Sequence, residues 1–347
     1  KDKLPKDTLG IYNLETNELE KIARVKGYKL PKEAPNLLTY SLEELLPKEL
    51  KKDTTVADSL NNQKTKNSKK VGKDNGYHLI VRNLSNAKQD TLHYVTDYQL
   101  AKASENFVYH TSGKDSTIAQ GVYYYIFSSA TRQPMTRSKG KYKQLAISDD
   151  GLQIAFLSDL DTTKALIRDF NLRYWNAGKD SAITIAKKMT PGIPKDWLVN
   201  EHGKVHFSQS GSRLYFGTSS EPLVQDTTLL PEEIIEVEVW NYQNGRLHTQ
   251  QNIEVEDDKK KSHLAYYDGL NEKIVQVGNE NIPTVRLTDH GDSKYALGIS
   301  NLNYQQFISW EGFPSRNDYY SIDLETGKTT LAVKDLRGSG GISAKGD

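Results

Sequence analysis

One stretch of the sequence decides the fold: Leu145-Ala146-Ile147-Ser148-Asp149-Asp150-Gly151-Leu152-Gln153-Ile154-Ala155-Phe156. An apolar residue precedes Ser148, a turn contains Gly151, and an alternating strand follows and ends in an aromatic residue. Residues 205–216, VHFSQSGSRLYF, repeat this order with Ser208 and Gly211. Asp-Gly or Ser-Gly between two alternating runs is a hairpin signal, since glycine accepts a positive φ. Each stretch therefore predicts two antiparallel strands joined by a short turn.

Weaker copies of this pattern begin at Leu30, Leu100, Leu287 and Ile342. A second kind of hairpin occurs at residues 9–19 and 319–329, with related runs at 78–84, 122–127 and 237–242. One repeating unit is therefore two hairpins, or four short strands. The shortest spacing between copies, from Leu100 to Ile147, is 47 residues, close to the length of a propeller blade.

These repeats predict an all-β fold, a β-propeller of four-stranded blades with less than a tenth of the chain in helices. About six or more blades are represented, and we expect seven or eight in the complete domain. A β-sandwich is the alternative, because its strands also recur every 8–12 residues or so. A sandwich does not explain why one hairpin pattern recurs six times.

Composition excludes several classes of function. The 347 residues contain no cysteine, which rules out disulfides, thiolate metal sites and cysteine nucleophiles. Lys and Arg number 46 against 45 Asp and Glu, for a net charge of +1, so we expect no nucleic-acid partner. No run of 18 apolar residues occurs, so we expect no transmembrane segment.

The predicted domain covers residues 1–347 and is an incomplete propeller with a polar insertion at about 48–75, which is rich in Lys, Asn and Thr. Gly346 stands where the pattern places a hairpin turn, and only Asp347 follows it. We therefore expect the chain to be a fragment. The start at Lys1, without Met or an apolar segment, is compatible with a removed leader.

Catalytic and cofactor motifs are missing from the sequence. No Gly-x-Ser-x-Gly elbow occurs, and the glycine-rich residues 338–341 are not followed by the Lys-Ser/Thr of a phosphate loop. His202 and His206 have the spacing of a helical zinc pair, but they fall on a turn and a strand. We expect no catalytic residue, no metal site and no cofactor in this chain.

Glu232 and Glu233 are the candidate binding residues. They follow Pro231 at the end of a long, non-repetitive stretch, and they either begin a helix or line a functional surface. A second acidic pair, Asp257-Asp258, precedes three lysines and is interpreted as part of a charged loop. Trp175, Trp197 and Trp240 are interpreted as fillers between blades rather than as a platform for a ligand.

The order of several segments resembles the N-terminal β-propeller of the prolyl oligopeptidase family of serine peptidases, in its secreted Bacteroidetes-type dipeptidyl or acylaminoacyl peptidase branch. The similar segments are residues 79–84, 141–146, 156–159 and 204–218, and Val237-Glu238-Val239-Trp240 with Gln250-Gln251. Glu238 stands where the family has Asp. The resemblance implies a C-terminal α/β-hydrolase domain, which is not present in this chain, and a periplasmic or secreted location.

Two functions follow from this reading. In the first, the chain is a non-catalytic propeller that gates and helps select peptide substrates for a serine peptidase domain, and Glu232 and Glu233 receive the substrate amine as a pair of glutamates does in some relatives. Peptides are then the partners, through the missing hydrolase domain, and the parent protein is the enzyme. In the alternative, the chain is a free-standing periplasmic propeller that acts as a protein-binding scaffold. A third and weaker alternative is a glycan-binding or glycan-cleaving propeller, which needs convergent acids or a cluster of arginines that the sequence does not show.

Overall fold

The computed structural model describes residues 6–44, 70–114, 117–163, 165–224, 226, 228–234, 237 and 240–343. Within these ranges the chain is 45% strand and 9% helix, as the repeats predict. By contact density it divides into two compact units. Unit 1 comprises residues 1–154 and 175–182, and unit 2 comprises residues 155–174 and 183–347.

Most of the connections between strands are short, and so are most of the strands themselves. Their bounds are β1 (Thr8–Asn13), β2 (Glu18–Ala23), β3 (Val25–Lys29), β4 (Leu37–Leu42), β5 (Tyr77–Asn83), β6 (Gln89–Leu100), β7 (Phe107–Thr111), β8 (Gly121–Ile126), β9 (Thr131–Thr136), β10 (Lys141–Ile147), β11 (Gln153–Asp159), β12 (Asn171–Asn176), β13 (Ile183–Ala186), β14 (Trp197–Val199), β15 (His206–Phe207), β16 (Arg213–Ser220), β17 (His263–Asp268), β18 (Lys273–Gln276), β19 (Thr284–Arg286), β20 (Tyr295–Ser300), β21 (Arg316–Asp323) and β22 (Thr329–Arg337).

In the part of the chain that the structure describes, helices occur only in connections between strands. They are α1 (His248–Asp258), α2 (Ile308–Glu311) and the 3-10 turns Pro231–Glu233, Asp289–Gly291 and Leu302–Phe307. No helix in the described ranges is long and apolar enough to cross a membrane.

The sheets are antiparallel, and neighbouring strands are consecutive in the sequence except where both β14 and β15 pair with β16. Their orders are β10-β11-β12-β13, β14-β16-β17-β18 with β15 also on β16, β19-β20-β21-β22, and a seven-stranded β3-to-β9 sheet beside the separate β1–β2 hairpin. In the seven-stranded sheet, β6 pairs with β5 through residues 89–95 and with β7 through residues 95–100. It therefore closes one four-strand set and opens the next. The four-stranded antiparallel meander is the blade of a β-propeller, so the predicted fold class is confirmed.

The two predicted hairpin turns contain the same pair of hydrogen bonds. Ser148 donates its backbone N–H to the carbonyl of Gln153 (2.9 Å), and the Gln153 N–H donates to the Ser148 hydroxyl oxygen (2.9 Å). Ser208 and Arg213 make the same two bonds at 2.8 and 3.2 Å. Gly151 and Gly211 have φ of +78° and +74°, which glycine adopts without strain.

Consecutive turns in unit 2 are joined to each other. The Tyr215 hydroxyl donates to the carbonyl of Gly291 at 2.7 Å, and Gly291 lies in the next copy of the turn, at φ +93°. Asp292 accepts from the backbone N–H of Ser210 at 2.8 Å and from its hydroxyl at 2.5 Å. In unit 1, Tyr124 donates in the same way to the carbonyl of Gly151 at 2.8 Å. We call this hydrogen bond the tyrosine–turn contact.

The core explains the abundance of tyrosine. Tyr109, Tyr125, Tyr215 and Tyr266 are among the largest fully buried side chains. Tyr215 and Tyr266 lie opposite each other on β16 and β17, with ring centroids 5.6 Å apart. The Tyr266 hydroxyl donates to the carbonyl of Leu324, so its ring packs in the core while its polar end is satisfied.

Strand β22 differs from the central strands, because nearly all of its residues are exposed. It pairs with β21 on one side and forms the end of its sheet. The pairing shifts register between Asn317 and Tyr319, and the opposing strand there contains Asp335 at φ +54°. The two carboxylate oxygens of Asp335 accept hydrogen bonds from Nη1 of Arg316, at 2.9 and 3.0 Å.

Three sequence-based predictions have other outcomes. The predicted strand at 237–242 is not formed at Val237 or at residues 240–242. Residues 341–343, predicted to open the last copy of the hairpin, are not a strand, and Gly346 lies outside the described residues. Of the predicted insertion at 48–75, residues 48–69 also lie outside them.

The turn serine predicts a specific loss of stability. Ser148→Ala and Ser208→Ala remove a buried hydroxyl that accepts a backbone N–H, so each should lower the free energy of unfolding by about 1–2 kcal/mol. Urea denaturation measures the change. Ser129→Ala, at an exposed turn position, is the matched control and should change it by less than about 0.5 kcal/mol. Equal effects of all three substitutions would contradict the role of the turn.

Candidate binding site

The two ends of the unit 2 sheets differ in their connections. At one end, short turns lie together: the N–H of Gly269 donates to the carbonyl of Ser212, and that of Leu324 to the carbonyl of Lys294. We call this the turn end. The opposite ends of the same strands are joined by residues 221–262 and 301–315, and we call this the loop end. Since binding residues are found disproportionately on loops held by a rigid scaffold, the loop end is the expected place for a binding site.

A cleft of about 840 Å³ lies at the loop end beside β14, and we call it the β14 cleft. Apolar side chains form much of its walls. They come from the 160–170 connection, β14, α1 and neighbouring loops: Leu166, Ile167, Phe170, Leu198, Leu223, Val255, Pro283 and Leu302.

Two buried polar side chains also line the β14 cleft. Asn200 is 6% exposed and is fixed by three bonds: its amide donates to the Ser219 hydroxyl (2.9 Å) and to the Lys261 carbonyl (3.1 Å), and it accepts from the N–H of His202 (2.7 Å). His263 is 8% exposed, and its Nδ1 has no hydrogen-bond partner in the described chain. A buried polar atom without a partner is uncommon and calls for an explanation.

The imidazole of His263 is neutral near pH 7. Burial lowers its pKa below the usual 6.5, and Lys261 acts in the same direction, while Glu280 opposes them. Its ring centroid lies 5.1 Å from that of Trp197. A neutral imidazole donates from one nitrogen and accepts at the other, and the unpartnered Nδ1 of His263 is itself shielded from solvent.

Charges around the β14 cleft are mostly paired. Lys188 contacts Glu221 at 2.7 Å, and Arg168 contacts the buried Asp159 at 3.1 Å. Arg168 also donates to the carbonyls of Asp161 and Thr163, so it holds the 160–170 connection in place. The cleft therefore presents apolar walls and neutral polar groups rather than a strong field of one sign.

A second cleft of about 600 Å³ is lined by residues on α1, in the 242–247 segment and at 301–310. Uncharged amide side chains are frequent in it, and we call it the carboxamide cleft. Arg246 lies in its wall and contacts Glu254 at 2.6 Å and Asp258 at 2.7 Å. The hydrogen bonds that Asp258 receives from Arg246 and from Lys261 lower its pKa to about 2.

Helix α1 corrects the sequence interpretation of Asp257-Asp258 as a charged loop, since both end this helix. The helix has no buried residue, so no apolar stripe marks it in the sequence. Its clearest anchor is Arg246, which precedes it and binds its acidic face.

Trp240 is interpreted from the sequence as a filler between blades, and the structure corrects this: its side chain is 69% exposed and stacks on His248 with ring centroids 4.8 Å apart. Trp175, in contrast, is buried against Tyr124.

Glu232 and Glu233 lie in the 3-10 turn after Pro231 and are exposed. The Glu233 carboxylate accepts the N–H of Leu230 at 2.9 Å, so it does serve as a helix-start carboxylate. Neither residue is among the described residues that line the two clefts. Their role in binding stays a prediction.

One contact between a hydroxyl and an imidazole resembles catalytic geometry. Thr96 Oγ1 lies 2.5 Å from Nδ1 of His110, on β6 and β7. His110 is 9% exposed, and its Nε2 has no partner in the described chain, so the pair lacks the third group that orients a catalytic base. Nor do the described residues include a group of three His, Asp or Glu side chains that could hold a metal ion.

Comparisons with known proteins give structural neighbours only. TolB from Acinetobacter baumannii is 13% identical, with a TM-score of 0.33, over 78% of this chain and 52% of that one. Dipeptidyl peptidase 4 from Porphyromonas gingivalis is 15% identical, with a TM-score of 0.41, over 76% and 39%. An oligogalacturonate lyase in complex with manganese is 8% identical, with a TM-score of 0.42, over 94% and 72%.

No family model and no curated protein matches the sequence. The chain spans about half of the TolB chain and about two fifths of the dipeptidyl peptidase. Such likenesses do not assign a family, so membership of the prolyl oligopeptidase family stays a prediction.

Burial of His110 predicts acid sensitivity. Burial lowers its pKa from 6.5 to about 4, so the unfolded chain binds more protons than the folded chain between these values, and stability falls as the pH falls through this range. At pH 5 the loss should be about 2 kcal/mol relative to pH 8.

Urea denaturation of wild type and His110→Gln at both pH values measures this loss. The stability difference between the two proteins should shift in favour of the variant at pH 5. His202→Gln, at an exposed position, should follow wild type. Parallel pH profiles for wild type and His110→Gln would show that His110 is not the sensitive group.

Proposed function

We propose that this chain is a non-catalytic propeller-type domain that binds extended polypeptide in the β14 cleft. The observation that carries the proposal is the combination of apolar walls with two nearly buried polar side chains, Asn200 and His263. An extended polypeptide offers backbone N–H and C=O groups together with side chains that need apolar pockets. The volume of about 840 Å³ lies within the usual range for a ligand site.

The absence of a complete catalytic group among the described residues supports a binding role. Thr96 and His110 form the candidate pair, but no acid orients the imidazole. We therefore expect the chain to hydrolyse neither peptides nor esters. Labelling of Thr96 or of any serine by a fluorophosphonate probe would contradict this part of the proposal.

The finer proposal follows from the resemblance to the prolyl oligopeptidase family. Here the bound peptides are substrates that the chain gates and helps select for a serine peptidase domain, in a periplasmic or secreted protein. In a polypeptide that joins this chain to such a domain, substitutions in the β14 cleft should change cleavage of long peptides and leave cleavage of a small ester unchanged.

Glu232 and Glu233 belong to this finer proposal as the carboxylates that receive a free amine. Both are exposed and therefore accessible. Acetylating the N-terminus of a bound peptide should weaken its binding if they act in this way. Equal affinities of the free and acetylated peptides would remove the role.

Substitutions at the rim of the β14 cleft test the main proposal. Leu166 and Leu223 are 62% and 102% exposed, so Leu166→Asp and Leu223→Asp should not disturb folding. Each should weaken binding of reduced, carboxymethylated lactalbumin, which is permanently unfolded, by tenfold or more, because a charge replaces apolar contact. Fluorescence anisotropy measures the affinity.

Two controls accompany this experiment. Leu270→Asp introduces the same charge at an 88% exposed position in a short connection at the turn end, and it should leave the affinity unchanged. Native lactalbumin, whose backbone is folded, should not bind. Loss of binding in Leu270→Asp, or equal binding of native and unfolded lactalbumin, would contradict the proposed site.

A further inference from the structure

We infer that the carboxamide cleft is a binding site for a neutral oligosaccharide. This function goes beyond polypeptide binding in the β14 cleft. The two clefts share Asn301, Gln305, Asp258 and Lys261, but the amides of Asn244 and Gln306 and the rings of Tyr242 and Trp310 line the carboxamide cleft and not the β14 cleft.

The amides supply the hydrogen bonds. The side chains of Asn244, Asn301, Gln305 and Gln306 line the cleft, and in the described chain none of them forms a side-chain hydrogen bond. Each carboxamide offers two donor hydrogens and an acceptor oxygen. A sugar hydroxyl is likewise both donor and acceptor, so a row of free carboxamides matches a row of hydroxyls without introducing charge.

The aromatic rings supply a platform. Trp310 and Tyr242 line the same cleft and are 83% and 90% exposed. The electron-rich face of an aromatic ring attracts the polarised C–H groups on the apolar face of a pyranose. The residue after Trp310, Glu311, is held by Arg316 through two bonds of 2.7 and 2.9 Å. This anchors the end of α2, so less conformational freedom is lost on binding.

The charges favour a neutral ligand. Arg246 is paired with Glu254 and Asp258, and Lys261 lies 2.5 Å from Asp258. The cations of the cleft are therefore already neutralised and are poorly placed to bind a phosphate or an acidic sugar. The exposed carboxylate of Asp257 lines the cleft and can accept a hydroxyl, but it would repel an anionic one.

The lining also favours a glycan over a polypeptide. Besides the two aromatic rings, the larger apolar side chains that line the carboxamide cleft are Leu247 and Ile308. The β14 cleft, in contrast, has the apolar walls that peptide side chains need. The two clefts therefore differ in the chemistry that they offer.

Screening the intact chain against an array of neutral and acidic glycans tests the inference, with calorimetry on the best neutral hit. We expect binding to at least one neutral oligosaccharide. Trp310→Ala should weaken it tenfold or more and Gln305→Ala about fivefold, while Trp310→Phe should retain most of the affinity. Phe313→Ala is the control, because Phe313 is 84% exposed but does not line the cleft.

Several results would overturn the inference. These are binding to acidic glycans alone, binding to no glycan, or equal affinities of wild type and Trp310→Ala. A Trp310→Ala variant that binds glycans normally but loses unfolded lactalbumin would assign the carboxamide cleft to polypeptide instead. Thermal melting of each variant shows whether it is folded.

Discussion

The hydrogen bond from Tyr215 to the carbonyl of Gly291 is the constraint on which unit 2 depends. It requires a glycine at φ +93° in the turn, because a Cβ there would lie 2.9 Å from the Tyr215 ring. It also requires a tyrosine whose ring is buried and whose hydroxyl reaches the next turn. In unit 1, Tyr124 makes a similar bond to Gly151, but it does so from β8, the third strand of its set, whereas Tyr215 lies on β16, the second. Consecutive four-strand sets are thus joined through their turns.

In unit 2, the hydrogen bonds that join the sheets lie at the turn end, and the two candidate clefts lie at the loop end. At the turn end, Ser210 donates to the carboxylate of Asp292 in the neighbouring turn, and Arg213 donates to the carbonyl of Ser293 in that same turn. The described residues of the loop end make no such repeated contacts, and the connections there differ in length and composition. Both clefts lie there and share Asn301 and Gln305; the β14 cleft adds apolar walls, and the carboxamide cleft adds the free amides of Asn244 and Gln306. Changes in the loops can therefore alter what is bound while the tyrosine–turn contacts keep the sheets together.

Local features of the fold could be predicted from the sequence, and features that depend on distant residues could not. The Ser-x-x-Gly turn is readable because its bonds join residues at most five apart, such as Ser148 and Gln153. Helix α1 escaped prediction because it buries no residue, and so it lacks the apolar periodicity that marks a helix. The carboxamide cleft escaped it because Asn244 and Gln305 meet only in the folded chain. Glu232 and Glu233 are recognisable in the sequence as an acidic pair, but in the structure the Glu233 carboxylate accepts the backbone N–H of Leu230 within a local turn.

The exposed strand β22 has a consequence for the protein at high concentration. A long strand at the end of a sheet presents unpaired backbone groups to which a second molecule can add a strand, and this is a common start of aggregation. Here the register shift opposite Tyr319 and the left-handed conformation of Asp335 interrupt the flat edge, while Lys334 and Arg337 place charge along it. An incoming strand would meet only short segments of regular backbone. The bulge in β22 thus interrupts the edge and disfavours edge-to-edge assembly.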